Sequence, residues 1–175
     1  SLAEYALRAE HRFIYASSAA TYGDGYQGFI DDHARLEYLK PLNSYGFSKY
    51  AFDLWLKQQG VLDQVVGLKY FNVFGPNENH KGRMASMIYK MTLLVQKEKL
   101  IRLFASSDPD QFADGEQSRD FIYVKDACEM TCEFLKNSIG GIFNIGSGTT
   151  TRWRSLALAL FKILKTPVNI KFIKM

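Results

Sequence analysis

Tyr45 and Lys49 stand four residues apart in the run Pro41-Leu-Asn-Ser-Tyr-Gly-Phe-Ser-Lys49. On a helix this spacing puts a phenol and an ammonium on one face, one turn apart. A cation beside a phenol stabilises the phenolate, so the pair suits proton exchange with a substrate hydroxyl near neutral pH. An ordinary surface helix pair has the same spacing. Context has to decide between the two.

That context lies upstream. Arg12-Phe-Ile-Tyr-Ala16 is a short apolar run rich in strand formers, suited to a strand covered on both faces. It leads into Ser17-Ser18-Ala-Ala-Thr-Tyr-Gly23, small hydroxylated residues at the point where a parallel strand ends. Ligands bind at that edge of doubly wound sheets. A hydroxyl there can bond a substrate oxygen while the tyrosine moves its proton, or it can satisfy turn backbone.

The rest of the chain reads as alternating helices and strands. Leu2–Glu10 has the pattern of an amphipathic helix, and a long polar loop from Asp24 to Pro41 holds Phe29 and Tyr38, which could pack. Asn43 or Ser44 caps a helix to about Gln59, with Ala51, Leu54 and Trp55 on one face and Gly60 as its stop. Strands follow at 65–70, 100–104, 120–124, 142–144 and 168–173. Helices are expected at 84–97, 126–136 and 153–165, and a Ser-, Asp- and Gly-rich loop at 105–118. Strands separated by helices imply a parallel sheet.

Composition narrows the function. With 175 residues and 47% hydrophobic content the chain can bury a core. A net charge of +4 suits an anionic small ligand and is too weak and scattered for nucleic acid. Cys128 and Cys132 have no second Cys or His pair at zinc spacing, so they are expected as buried apolar thiols rather than a metal site or disulfide, which fits a reduced cytoplasmic setting. No window is apolar enough to span a bilayer. Gly23-Asp-Gly25-Tyr-Gln-Gly28 satisfies G-x-G-x-x-G, but it neither follows a strand tightly nor opens a helix, so a surface loop is expected there.

The strand, Ser-Ser-Ala-Ala-Thr-Tyr-Gly and Tyr-Gly-Phe-Ser-Lys together resemble the extended short-chain dehydrogenase/reductase superfamily of nucleotide-sugar epimerases and dehydratases. Lys69-Tyr-Phe-Asn-Val-Phe-Gly-Pro76, Arg119-Asp-Phe-Ile-Tyr-Val-Lys-Asp126 and Gly141-Ile-Phe-Asn-Ile-Gly146 agree in order. Within it, His80-Lys-Gly82 followed by Met84-Ala-Ser86 resembles the ADP-heptose 6-epimerase branch, which serves lipopolysaccharide synthesis. The likeness covers essentially the whole chain. It implies the C-terminal half of a doubly wound, Rossmann-like α/β sheet plus part of a smaller α/β substrate-binding domain. Residues 1–76 and 119–148 would belong to the first, and 77–118 and 149–175 to the second. Because family members begin with a Gly-rich phosphate loop, the chain reads as an internal fragment missing both ends.

By the same resemblance the cofactor is NADP, with NAD the alternative, and the substrate is ADP-heptose or a related nucleotide sugar. A homo-oligomer is compatible with it; a membrane or nucleic-acid partner is not expected. Tyr45 and Lys81 match the two acid/base residues, Ser18 the hydroxyl that positions substrate, and Lys49 the cation beside Tyr45. Ser17, Lys49, Val73 and Lys81 match positions facing the cofactor. Ser18, Asn72, Arg83, Lys90, Phe104, Ala105, Ser106, Ser107 and Arg119 match positions facing the substrate, with an Arg119–Asp120 ion pair as the plain alternative for Arg119. Arg83 and Lys90 depart from the heptose pattern, which leaves the exact sugar open.

Three other readings stand beside this one. A dehydratase would carry an acidic pair where Ala19 and Ala20 stand. A UDP-hexose 4-epimerase would share Ser18, Tyr45 and Lys49 but has no use for Lys81. A truncated binding or assembly module without activity is the alternative of another class.

Overall fold

The computed structural model describes residues 1–110 and 112–174. The chain divides into two compact units, Ser1–Phe71 with Lys125–Gly146, and Asn72–Val124 with Ser147–Met175.

The first unit is built on a parallel three-stranded sheet in the order β1 (Phe13–Ser18), β2 (Val65–Tyr70), β6 (Gly141–Ile145). The central strand β2 is covered on both faces, and Val65, Val66 and Leu68 are fully buried. Helix α1 (Leu2–Arg8) precedes β1 and is closed by a capping box between Ser1 and Glu4. Helix α2 (Ser44–Gln58) starts at Asn43, whose side chain accepts from the Gly46 N–H. Helix α4 (Val124–Glu133) leads back to β6.

Burial along α2 differs from its apolar pattern. Ala51 is exposed, whereas Leu56 and the charged Asp53 are buried, because Asp53 meets a lysine from β2. The 24–41 loop folds around a 3-10 turn at His33–Tyr38, capped by Asp32. Leu36 and Leu39 anchor it in a core with Tyr22 and Ile142, while Tyr38 stays outside. The G-x-G-x-x-G segment is turn and bend with no helix after it. Cys128 and Cys132 correct the sequence reading: both are free thiols and both are exposed, since α4 buries Ala127 and turns the cysteines outward.

In the second unit β5 (Ser118–Tyr123) lies between β3 (Asn72–Phe74), parallel to it, and β7 (Thr150–Arg152), antiparallel to it. The antiparallel strand departs from the all-parallel expectation: β7 follows β6 after the turn at 146–149 and pairs with β5 in the opposite sense. A second sheet pairs β4 (Ile101–Phe104) with β8 (Ile170–Ile173) in parallel. Helices α3 (Met87–Glu98) and α5 (Trp153–Ile163) enclose a core of Met91, Val95, Ile101, Leu103, Ala157 and Phe161. The division also differs from the expected boundaries. Residues 72–76, 119–124 and 147–148 fall in the second unit, since β3 pairs with β5 and not with the β1-β2-β6 sheet.

Candidate active site

In the first unit, Ser18 ends β1, and its Oγ accepts from the Ala20 N–H at 3.1 Å as the cap of a 3-10 turn over Ala19–Tyr22. No other partner of this hydroxyl occurs among the described residues, so its proton is available to a ligand. Helix α2 packs against that turn at Gly46. A Cβ on Gly46 would come within 2.6 Å of the Ala20 carbonyl oxygen, so only glycine permits this approach. Tyr45, the neighbour of Gly46, is 56% exposed. Lys49 is half-buried; its Nζ donates to the Ala16 carbonyl at 3.0 Å and lies 5.9 Å from the centre of the Tyr45 ring. Tyr45, Lys49 and Ser18 are therefore drawn together at the carboxyl end of β1. Ser17 is 2% exposed and its hydroxyl donates to Asp53, so that side chain is engaged beneath the site rather than turned toward a ligand.

Beneath these residues lies a polar network absent from the sequence reading. The Asp53 carboxylate accepts from Tyr15 Oη at 2.8 Å, Ser17 Oγ at 2.7 Å and Lys69 Nζ at 2.7 Å. Lys69 also donates to Thr21 Oγ1 at 2.6 Å and sits 5.2 Å from the Tyr22 ring centre. Thr21 Oγ1 in turn donates to the Ser18 carbonyl at 2.8 Å. Burial pushes the Lys69 ammonium below its ordinary pKa, while the charge of Asp53 pulls it back up. Burial, then the charge of Asp53, pushes the Tyr15 phenol far up, so it remains a donor. A lysine inside the apolar run of β2 was the available signal, since a buried charge requires a partner.

The second unit assembles a different set. A 3-10 segment at Asn79–Met84 carries Lys81 and Arg83 on exposed backbone, with Gly82 at φ 51°, ψ −120° between them. Glu78 anchors this segment: only 3% exposed, it accepts from the Gly75 N–H, the Ser86 N–H and Ser86 Oγ, and faces Lys81 Nζ at 3.9 Å. Burial works to raise the Glu78 pKa, but the Ser86 and Gly75 hydrogen bonds and the Lys81 charge outweigh it and hold the carboxyl low. Lys90 Nζ donates to the Arg83 carbonyl at 2.6 Å, so the two residues that depart from the heptose pattern touch.

Asn72 is exposed and its amide nitrogen donates to the Asp120 carbonyl at 2.9 Å; Val73 follows it, half-buried, in β3. Phe104 is 51% exposed at the end of β4. Ala105 continues the ladder by donating to the Ile173 carbonyl, and the Ser106 N–H donates to Asp114 at 2.7 Å; Ser107 is exposed beside them. Asp120 turns its carboxylate to the Ser147 N–H and Oγ and the Gly148 N–H at 2.7 to 2.9 Å. It does not pair with Arg119, whose guanidinium donates to the Ser118 carbonyl and meets no acid among the described residues. A model of the NAD dependent epimerase/dehydratase family matches residues 1–146.

The chain belongs to that family. Within it, the ADP-L-glycero-D-manno-heptose-6-epimerase of Nitratidesulfovibrio vulgaris (strain DP4) is 49% identical over 175 residues, covering 99% of this chain and 54% of that one. The crystal structure of the Helicobacter pylori ADP-L-glycero-D-manno-heptose-6-epimerase superposes with a TM-score of 0.83 at 30% identity, covering 99% of this chain and 52% of that one. The Thermus thermophilus UDP-glucose 4-epimerase, solved in complex with NAD, gives 0.77 at 25% identity, covering 99% and 55%. The chain spans about half the length of the relatives it matches. As a member of the epimerase/dehydratase family, it carries the strand-end serine and the Tyr-x-x-x-Lys helix as one cluster, within one unit of the fold.

Proposed function

We propose that these residues serve a nucleotide-sugar epimerase that inverts C6 of the heptose in ADP-glycero-manno-heptose, a lipopolysaccharide core precursor, with bound NADP or, failing that, NAD. The observation that carries the reaction class is the exposed Tyr45 phenol with the Lys49 ammonium beside it, held against the end of β1. The sugar is argued from likeness to the 49%-identical heptose epimerase and from Lys81 in His80-Lys-Gly82. Two unpaired thiols agree with a cytoplasmic location, and no described helix is long and apolar enough to cross a membrane.

A phenol, an ammonium and a free hydroxyl proton at the carboxyl edge of a parallel sheet suit a nicotinamide ribose and a carbinol. When bound, the nicotinamide supplies the hydride acceptor and donor that makes an unactivated carbinol reversible. Tyr45 takes the proton from the carbinol oxygen and returns one later, and Lys49 stabilises its anionic form. Ser18 donates to the same oxygen and fixes its position. Lys81 carries the proton for the opposite stereochemical step. Arg119, with no carboxylate partner among the described residues, offers two parallel N–H donors to a diphosphate, and residues 104–107 line the nucleotide end.

The test is a dismutation assay on the full chain, with a substrate bearing an aldehyde at the reacting carbon. Lys81→Met and Tyr45→Phe are expected each to lose epimerisation yet retain some dismutation, and the double variant to retain none. A Lys81→Met enzyme that epimerises ADP-heptose like its parent would remove Lys81 from the chemistry and put UDP-hexose 4-epimerisation ahead.

A further inference from the structure

We propose that the buried Asp53–Lys69 pair positions the Tyr45 site, fixing the strand-end residues Ser17 and Ser18 and the helix that bears Tyr45 in one register; this rests on the epimerase reading above. The pair touches no reacting atom. Its two ends hold consecutive residues from opposite sides: Asp53 grips Ser17 through its hydroxyl, and Lys69 grips Thr21, which holds the Ser18 carbonyl. Asp53 also sits one helical turn after Lys49 and two turns after Tyr45, on the same side of α2. Lys49 itself donates to Ala16. Residues 16, 17 and 18 are thus each tied to α2 or to the pair, and no sliding of α2 along β1 leaves all three ties intact.

A purely structural reading explains this poorly. The Asp53 and Lys69 side chains are 0% and 2% exposed, and bringing two charges to such a place is often no more stabilising than filling it with apolar side chains. What an ion pair within a network of five directed hydrogen bonds, four of them its own, adds is a single geometry. Catalysis is sensitive to that geometry: a displacement of about 1 Å at the reacting groups costs on the order of 100-fold in rate.

Two double variants of the full chain separate the roles. Asp53→Leu with Lys69→Met removes the charges and every hydrogen bond the pair makes; Asp53→Asn with Lys69→Gln removes the charges but keeps an oxygen to accept from Ser17, an amide N–H toward the Tyr15 oxygen and a donor for Thr21. The expected result is that the Leu/Met protein melts near the parent temperature but loses about 10- to 100-fold in kcat with KM changed little, while the Asn/Gln protein stays within a few fold of the parent. Thr21→Val cuts one tie without touching the charges and serves should the Leu/Met protein not fold; its kcat should fall about threefold or more.

Hydrogen exchange across residues 16–22 reads the same ties without turnover. It should be about tenfold faster in the Leu/Met protein, or in Thr21→Val in its place, and parent-like in the Asn/Gln protein. A parent that leaves ADP-heptose unchanged refutes the epimerase reading alone, and the exchange measurement then decides on the pair. Leu/Met or Thr21→Val proteins with parental kcat and exchange, or an Asn/Gln protein as impaired as Leu/Met, would overturn the proposal.

Discussion

Tyr45 is the residue on which the proposed chemistry turns, and its phenol is more than half exposed beside the Lys49 ammonium. Tyr45→Phe deletes the phenolic oxygen that would carry the proton of one stereochemical step while keeping the ring. Turnover by the full chain should fall about 100- to 10,000-fold in a steady-state assay. Glu78 gives a pH test in the second unit. Its folded pKa is lowered, so its contribution to stability is present above the unfolded carboxylate value of about 4.3 and is lost as pH falls through the folded value. Glu78→Gln should therefore melt below the parent at pH 7, and the gap should close below about pH 4 in thermal scans. The tyrosine, lysine and serine were legible because their spacing is local. Asp53, Lys69 and Glu78 were not, because their partners come from other elements: α2 to β2, and Glu78 to the Ser86 N–H and hydroxyl. The cysteines were misread as buried because their type predicts burial, and the facing of α4 decides it.

Among the elements, α2 matters most, and Gly46 is its point of contact with the turn after β1. Gly46→Ala places a methyl carbon against the Ala20 carbonyl oxygen, closer than any ordinary contact. The expected outcome is a loss of about 1 to 3 kcal/mol in urea unfolding, together with slower turnover, because α2 has to lift away from Ser18. In the second unit, Phe161 is fully buried between α5 and β4. Phe161→Ala should cost about 3 to 5 kcal/mol by the same measurement. Helix and strand positions followed well from periodicity; α2, for example, starts and stops at its predicted cap and glycine. The short strand β7 escaped, since three residues of Thr-Thr-Arg carry no period and become a strand only by pairing with β5. The side of α2 that is buried also escaped, because apolar content pointed to Ala51 and Trp55 while an ion pair turned Asp53 inward.

At the scale of the molecule, each unit has its own core, and the site residues divide between them: Ser17, Ser18, Tyr45 and Lys49 in one, Asn72, Val73, Lys81, Arg83, Lys90, residues 104–107 and Arg119 in the other. The chain spans about half the length of the relatives it matches. On the proposed epimerase reading, the 175 residues by themselves are expected to show little or no turnover of ADP-heptose in a steady-state assay; measurable turnover would refute this. The chain passes between the units at three places, after Phe71, after Val124 and after Gly146. For recombination this has a consequence. A single crossover between two homologous genes at codon 72 would join β1 and β2 from one parent to β6 from the other, so the β2–β6 ladder would be hybrid. Exchanging one unit whole requires three matched breakpoints, and single-junction chimeras in a shuffled library should be enriched for junctions near the chain ends.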